Sequence, residues 1–338
     1  MNKLYTGEPI AGDFEGKSIL SVDQFDKNDI ELLFLEAEAM RSVVDKEDGS
    51  DLLKRKVLAN LFYAPSTRTS SSFDAAMCRQ GGSVISINDV HYSSVSKGES
   101  LPDTINTMEQ YSDVIALRHS KVGSAAVAAS VGEKPIINAG DGSGEHPTQA
   151  LLDLFTINES LGKLDSLTVT MVGDLKHGRT VHSLAKLLSK YSVNLQYVSP
   201  DSMQMPDAYQ NELNDMGISQ SRFNSIDSAL PTTDVLYMTR VQKERHNTGL
   251  LQRLKHIVKN DPVFDKNPPF VLRSEIMEHA KDDMIVMHPL PRVGEINTDV
   301  DKDERAVYFE QMKYGMYTRM ALIALVLGKT IQKPVNNV

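Results

Sequence analysis

Pro65-Ser66-Thr67-Arg68-Thr69 places hydroxyls and a guanidinium where a strand-like run gives way to a helical pattern that includes Phe73, Ala76 and Met77. Free backbone N–H groups and the positive end of a helix dipole suit a phosphate or carboxylate there, and an arginine can grip an oxyanion with paired hydrogen bonds. The same residues also fit an ordinary Ser/Thr cap with an exposed arginine. His146-Pro147-Thr148-Gln149 offers an imidazole and a carboxamide at one helix entrance, both able to bond a carbonyl or an amide; capping or packing is the alternative. A second histidine, in His288-Pro289-Leu290-Pro291-Arg292, follows the strand-like 284–287. Loops at the C-terminal ends of parallel strands are where α/β proteins bind ligands, although two prolines also suit a rigid connector.

Gly173 to Thr180 (GDLKHGRT) differs by one residue from the phosphate-binding G-x-x-x-x-G-K-[ST] pattern. Arg179 stands where the lysine would be, and a forked guanidinium does not thread between phosphates as an ammonium does. A carboxylate clamp suits Arg179 better. The glycines do not make G-x-G-x-x-G, so nothing specific supports a dinucleotide. Ser93 to Glu99 reads as a mobile polar loop carrying Lys97, and Arg240 to Arg245 follows another strand-like run. Arg118 ends a strand, where a buried arginine without an anion would be costly. Together these groups point to a small polyanionic substrate.

The elements that must position them recur along the chain. Short apolar runs at 57–62, 83–87, 114–118, 136–139, 167–173, 195–199, 235–239 and 284–287 alternate with helical patterns, which predicts an α/β protein with mainly parallel sheets flanked by helices. Ile30, Leu33, Phe34, Ala37 and Met40 have the spacing of an amphipathic helix, as do Met316, Met320, Ile323 and Leu327. The breaker cluster Ala139 to Pro147, ahead of a helix-like run at 148–159, marks the best domain junction. Asp261 to Pro269, with adjacent prolines, reads as an exposed loop.

With 338 residues, the chain has room for two domains at roughly 150 residues each. Its formal charge of −9 disfavours nucleic acid and anionic membranes as partners, so any anionic ligand must meet local positive charge. No apolar run approaches the ~18 residues of a membrane span. The lone Cys78 makes neither an internal disulfide nor a cysteine-rich zinc site, and the first residues lack the apolar core of a secretion signal, so a cytoplasmic location is expected.

The motifs P-S-T-R-T, S-x-K-G-E, Arg118-His119, H-P-T-Q-A-L-L-D, G-D-L-K-x-G-R-T-x-H-S, M-T-R-V-Q-x-E-R and H-P-L-P-R stand in one order from about Ser18 to Gly328. In that order and spacing the chain resembles the aspartate/ornithine carbamoyltransferase family. The Ser-Thr-Arg-Thr and His-Pro-Thr-Gln elements are common to the family. The Arg-Val-Gln segment at Arg240 and the His-Pro-Leu-Pro segment resemble its aspartate branch, since the ornithine branch would carry a cysteine where this chain has Pro289.

The resemblance implies a carbamoyl phosphate domain over 1–147, completed by a C-terminal helix at 305–330, and an aspartate domain over 148–304. It implies that Ser66, Thr67, Arg68 and Thr69 hold the phosphate. Thr69, Arg118 and His146 would bond the carbonyl oxygen, and Gln149 with the Leu290 main chain would hold the amino group. Arg179, Arg240 and Gln242 would take the carboxylates of aspartate. Lys97, with Ser93, resembles a loop that reaches a neighbouring subunit's site, which implies a homotrimer; regulatory chains are possible further partners. The implied catalytic set is His146, Arg68, Thr69, Arg118 and Lys97, with neither metal nor organic cofactor. One departure is clear: the family commonly has an acidic residue at the position of Ala64, a partner for arginines such as Arg179 and Arg245 that favours closure.

Overall fold

β-Branched and aliphatic runs bounded by turn residues form parallel strands in the computed structural model, which describes residues 7–88, 94–240 and 270–331. The chain divides into two units, one comprising the residues up to Thr156 and those from Met312 on, the other Ile157–Gln311. This division falls later than the glycine-rich turn, inside a helix.

The first unit runs α1 (Lys27–Glu47), β1 (Val57–Phe62), α2 (Thr67–Cys78), β2 (Ser83–Ile87), α3 (Leu101–Met108), β3 (Val114–His119), α4 (Ser124–Val131), β4 (Ile136–Asp141) and most of α5 (Pro147–Leu161). Its sheet has the order β2-β1-β3-β4, all parallel. The second unit holds β5 (Leu167–Val172), α6 (Arg179–Leu188), β6 (Val193–Val198), α7 (Asp207–Asp215), β7 (Ser219–Phe223), β8 (Val235–Met238) and β9 (Ile285–Met287), ordered β7-β6-β5-β8-β9 and again parallel. Strand order reverses between β1 and β3 in one sheet and between β5 and β8 in the other. The loops after those strands therefore diverge and leave a crevice at the strand ends, where such sheets bind ligands.

Strands of helix-covered parallel sheets are buried on both faces; every residue of the central strand β8 is buried, and so is every residue of the edge strands β4 and β9. β7 lies where the sequence suggested no strand. Its residues, Ser-Gln-Ser-Arg-Phe, form an edge with little burial, so it carries no apolar run to detect. On α1, the predicted stripe Ile30, Leu33, Phe34, Ala37 and Met40 is buried, and Asp26 and Asp29 form a capping box at its start. The C-terminal helix spans Glu310–Val326, shorter than the expected 305–330. It is not amphipathic along its length: Tyr317 through Ala324 are all buried, so a helical stripe understates how deeply it is enclosed.

Buried polar side chains brace α2. Asn60 on β1 donates through Nδ2 to Asp74 Oδ1 (2.8 Å) and to Ser70 O (3.2 Å). Arg319 on the C-terminal helix donates to Ser72 Oγ (2.9 Å), and its guanidinium lies 5.2 Å from the Phe73 ring centroid. Burial pushes the Arg319 guanidinium down to about 10, opposed by the Asp153 carboxylate, so it still carries charge at neutral pH.

Below β9, Arg292 pairs with Asp301, with Nη2 2.6 Å from Oδ2, and Tyr308 OH also donates to that carboxylate. The Arg292 hydrogen bonds hold the Asp301 carboxyl below its ordinary range, against a smaller opposing effect of burial. A carboxyl depressed in the folded state adds stability above its unfolded value and loses it as pH falls through the folded one. Asp301→Asn is therefore expected to cost up to about 1 kcal/mol at pH 7, this pair being partly solvent-screened, with the difference from the parent closing below about pH 4. Urea unfolding at both pH values checks this; a pH-independent gap would assign Asp301 to packing alone.

Candidate active site

The switch point of the first sheet gathers most of the predicted groups of that unit. β1 ends at Phe62, in register with Arg118 on β3, and Tyr63 N–H donates to Arg118 O (2.8 Å). The chain then enters α2 at Thr67, with Ser66 as N-cap. The Ser66 side chain makes no capping bond, unlike the ordinary Ser/Thr cap considered from the sequence. Thr67 and Arg68 are exposed at this helix start and Thr69 is buried. Partial burial pulls the Arg68 guanidinium below its ordinary value.

Arg118 is half-buried and donates through Nη1 to Ala139 O (3.2 Å), with His146 Nε2 at 3.4 Å. Next to it, His119 Nδ1 accepts from Lys121 N–H (3.0 Å) and lies 2.9 Å from Ser124 Oγ. Burial, with Lys121, pulls the His119 imidazole down despite Asp141, and the ring packs edge-on against Tyr63.

His146 arrives through a turn braced by carboxylates. Asp141 accepts Gly123 N–H at Oδ2 (2.7 Å) and Glu145 N–H at Oδ1 (2.8 Å). Glu145 in turn accepts Ser21 Oγ–H (3.1 Å) and Val22 N–H (3.3 Å). Gly142 has φ +55°, and a Cβ there would stand 2.6 Å from Ser120 O, so this position needs glycine. One turn into α5, Gln149 donates through Nε2 to Asp153 Oδ1 (2.8 Å). A carboxylate only accepts, so the amide is oriented with Oε1 turned away from Asp153 as an acceptor. Asp153, four residues on along the helix, was missed as a positioning group in the sequence, although i, i+4 spacing is the signal for it.

The second sheet repeats the arrangement at its own switch point. After β5, Gly173 has φ +113°, and a Cβ there would lie 2.4 Å from Thr239 O, so the chain end of β8 packs directly on this turn. Buried Asp174 accepts His177 N–H (3.1 Å), and His182 donates through Nε2 to Leu175 O (2.7 Å) while stacking on Tyr209 at 4.2 Å. These bonds shape the turn into α6, whose first residue is Arg179. Arg179 and Arg240 are both half-buried, Arg240 two residues beyond β8. Gln242 and Arg245 lie outside the described residues, as do Ser93 and the 261–269 segment. Lys97 is exposed on a 3-10 turn, Ser94–Lys97, where the sequence suggested a mobile loop.

His288, fully buried after β9, does not present its ring outward: Nδ1 accepts Leu290 N–H (2.7 Å) and Nε2 pairs with Glu295 Oε1 (2.8 Å). Leu290 holds φ +53°, a conformation costing a non-glycine residue about 1–2 kcal/mol. Among the described residues, no group of three or more His, Cys, Asp or Glu side chains could hold a metal ion, and no helix is long and apolar enough to cross a membrane.

Two family models match the chain in tandem: the carbamoyl-P binding domain of aspartate/ornithine carbamoyltransferase over residues 17–159, and its Asp/Orn binding domain over 165–326. The chain belongs to the aspartate/ornithine carbamoyltransferase family. The aspartate carbamoyltransferase catalytic subunit of Thermococcus kodakarensis is 45% identical over 316 residues, 94% of this chain and 98% of that protein. The multifunctional protein pyr1-3 of Dictyostelium discoideum is 55% identical over 313 residues, 93% of this chain but 14% of its own length, so the chain spans a small part of that relative. Crystal structures of Trypanosoma cruzi aspartate transcarbamoylase are similar throughout. The complex with carbamoyl phosphate has a TM-score of 0.85 at 44% identity, covering 94% of this chain and 98% of that one. The complex with carbamoyl phosphate and aspartate has a TM-score of 0.82 at 42% identity, covering 96% and 100%.

Asp141 is the brace on which the His146 turn depends. Asn there could accept only one of the two N–H groups and would oppose the other with its own donor. Asp141→Asn is expected to lose about 1–3 kcal/mol of stability, read as a lower denaturant midpoint; an unchanged midpoint would remove Asp141 from that role.

Proposed function

We propose that the chain transfers the carbamoyl group of carbamoyl phosphate to the amine of L-aspartate, giving N-carbamoyl-L-aspartate and phosphate, the committed step of pyrimidine synthesis. The observation that carries this reading is the convergence of Arg118 and His146 (3.4 Å) beside the start of α2 at one sheet's switch point. The names of the Thermococcus subunit and of the ligand-bound Trypanosoma structures support the choice of aspartate, as does Pro289 where the ornithine branch would carry cysteine.

In this reading, residues 1–147 with the C-terminal helix bind carbamoyl phosphate and 148–304 bind aspartate. Ser66, Thr67, Arg68 and Thr69 take the phosphate; Thr69, Arg118 and His146 face the carbonyl oxygen; Gln149 Oε1 and the Leu290 main chain accept from the amino group. Arg179, Arg240 and Gln242 grip aspartate. Attack of the amine forms the new C–N bond and pushes charge onto the carbonyl oxygen; collapse then breaks the C–O bond to phosphate, and one amine proton is released. Holding the two anions together and meeting the developing charge with fixed donors supplies the rate. Exposed Lys97, with Ser93, serves a neighbouring copy's site in a homotrimer, and the protein acts in the cytoplasm.

The direct test is the appearance of phosphate and carbamoylated product with carbamoyl phosphate and a panel of amino acids. Turnover with aspartate far above that with ornithine is expected; the reverse preference, or none, would overturn the assignment. Losing one oxyanion donor typically costs about 10² to 10³ in turnover, so His146→Ala should lower kcat by that order with a smaller effect on carbamoyl phosphate binding. Near-normal kcat would remove His146 from the carbonyl. Arg240→Ala and Gln242→Ala should raise the KM for aspartate while carbamoyl phosphate binding is largely kept, and steady-state kinetics in each substrate separates the two effects.

A further inference from the structure

We propose that His288 and Glu295 are positioning residues that set the Leu290 carbonyl to accept from the carbamoyl amino group, and so help the enzyme select a carbamoyl donor over other acyl phosphates. This rests on the reading above that Leu290 and Gln149 hold that group.

Leu290 N–H can only donate, so His288 Nδ1 receives it as a lone pair (2.7 Å). The ring proton then lies on Nε2 and is donated to Glu295 Oε1 (2.8 Å). The other carboxylate oxygen, Oε2, accepts Val293 N–H (2.8 Å). On the opposite side, His288 N–H donates to Gln311 Oε1 (3.0 Å) at the start of the C-terminal helix. A closed ring of bonds thus joins the two ends of the 288–295 loop. His288 is fully buried and Glu295 nearly so.

What the ring holds is a leucine in the left-handed region, at φ +53°. Such a conformation persists only where the surroundings over-determine it, and it is a common device for aiming a main-chain group at a ligand. The bond from Leu290 N–H to the imidazole fixes the rotation of this residue and with it the direction of its carbonyl. Both ring nitrogens of His288 are engaged within the loop, so the ring acts through Leu290 rather than by touching substrate. Burial tends to raise the Glu295 carboxyl, but the His288 and Val293 hydrogen bonds bring it below its ordinary value, which keeps the acceptor charged at neutral pH.

Acetyl phosphate separates positioning from mere stability, because it keeps the phosphate and carbonyl of carbamoyl phosphate and has a methyl where the amine stands. It offers Leu290 nothing to accept. The quantity read is the ratio of the inhibition constant of acetyl phosphate to the KM for carbamoyl phosphate, measured in the parent, Glu295→Gln, His288→Ala and Gln149→Ala. Glu295→Gln keeps the volume but can accept only one of the two N–H donors, so it carries the test if His288→Ala does not fold. The ratio is expected to fall about tenfold in Glu295→Gln, the equivalent of one neutral hydrogen bond, and also in Gln149→Ala. A parallel rise of both constants in Glu295→Gln, with the ratio unchanged while Gln149→Ala lowers it, would overturn the positioning role alone. An unchanged ratio in Gln149→Ala as well would overturn the amino-group reading and this inference with it.

Discussion

Electrostatic repulsion between two anionic reactants is the constraint around which this structure is organised. Carbamoyl phosphate and aspartate are both negative, and the chain that receives them carries a formal charge of −9. Positive charge therefore has to be concentrated locally. The fold does this by placing arginines where parallel strands end and helices begin: Arg68 at the start of α2, Arg118 at the end of β3, Arg179 at the start of α6 and Arg240 just past β8. Each lies at a point where strand order reverses, so that diverging loops leave the strand ends accessible.

Such groups are useful only if they are held still, and much of the buried polar structure does that. Asn60 and Arg319 brace α2 from two sides. Asp141 and Glu145 shape the turn that delivers His146, Asp153 turns the Gln149 amide, and Glu295 with His288 sets Leu290. Carboxylates recur in this list because an ionised carboxylate accepts from two directions and never donates, which makes it an unambiguous orienting group. In this acidic chain, carboxylates such as Asp141, Asp153 and Glu295 serve as acceptors that orient neighbouring donors.

The strands and the site residues were legible in the sequence to different degrees. Central strands stand out because burial on both faces demands unbroken apolar runs, as in Val114 to Leu117 or Val235 to Met238. β7 does not, since a polar edge strand owes its place to backbone pairing with β6. Arg68, Arg118, His146 and Gln149 stand out through their motifs, and the structure places them near the end of a strand or the start of a helix. Asp141, Asp153 and Glu295 were not assigned roles. Their effect depends on partners such as Gly123 or His288, and nothing local in the sequence says that those partners are near. The C-terminal helix shows the same limit: periodicity marked a stripe, whereas contact on all sides is a property of the folded unit.

Catalysis at this switch point requires the donor molecule to sit among these groups. A crystal structure of the protein soaked with carbamoyl phosphate tests that directly. The phosphate is expected within hydrogen-bond reach of the Ser66 to Thr69 segment, with the carbonyl oxygen facing Arg118 and His146 and the amino group toward Gln149. Density for the molecule at some other surface, away from these side chains, would contradict it.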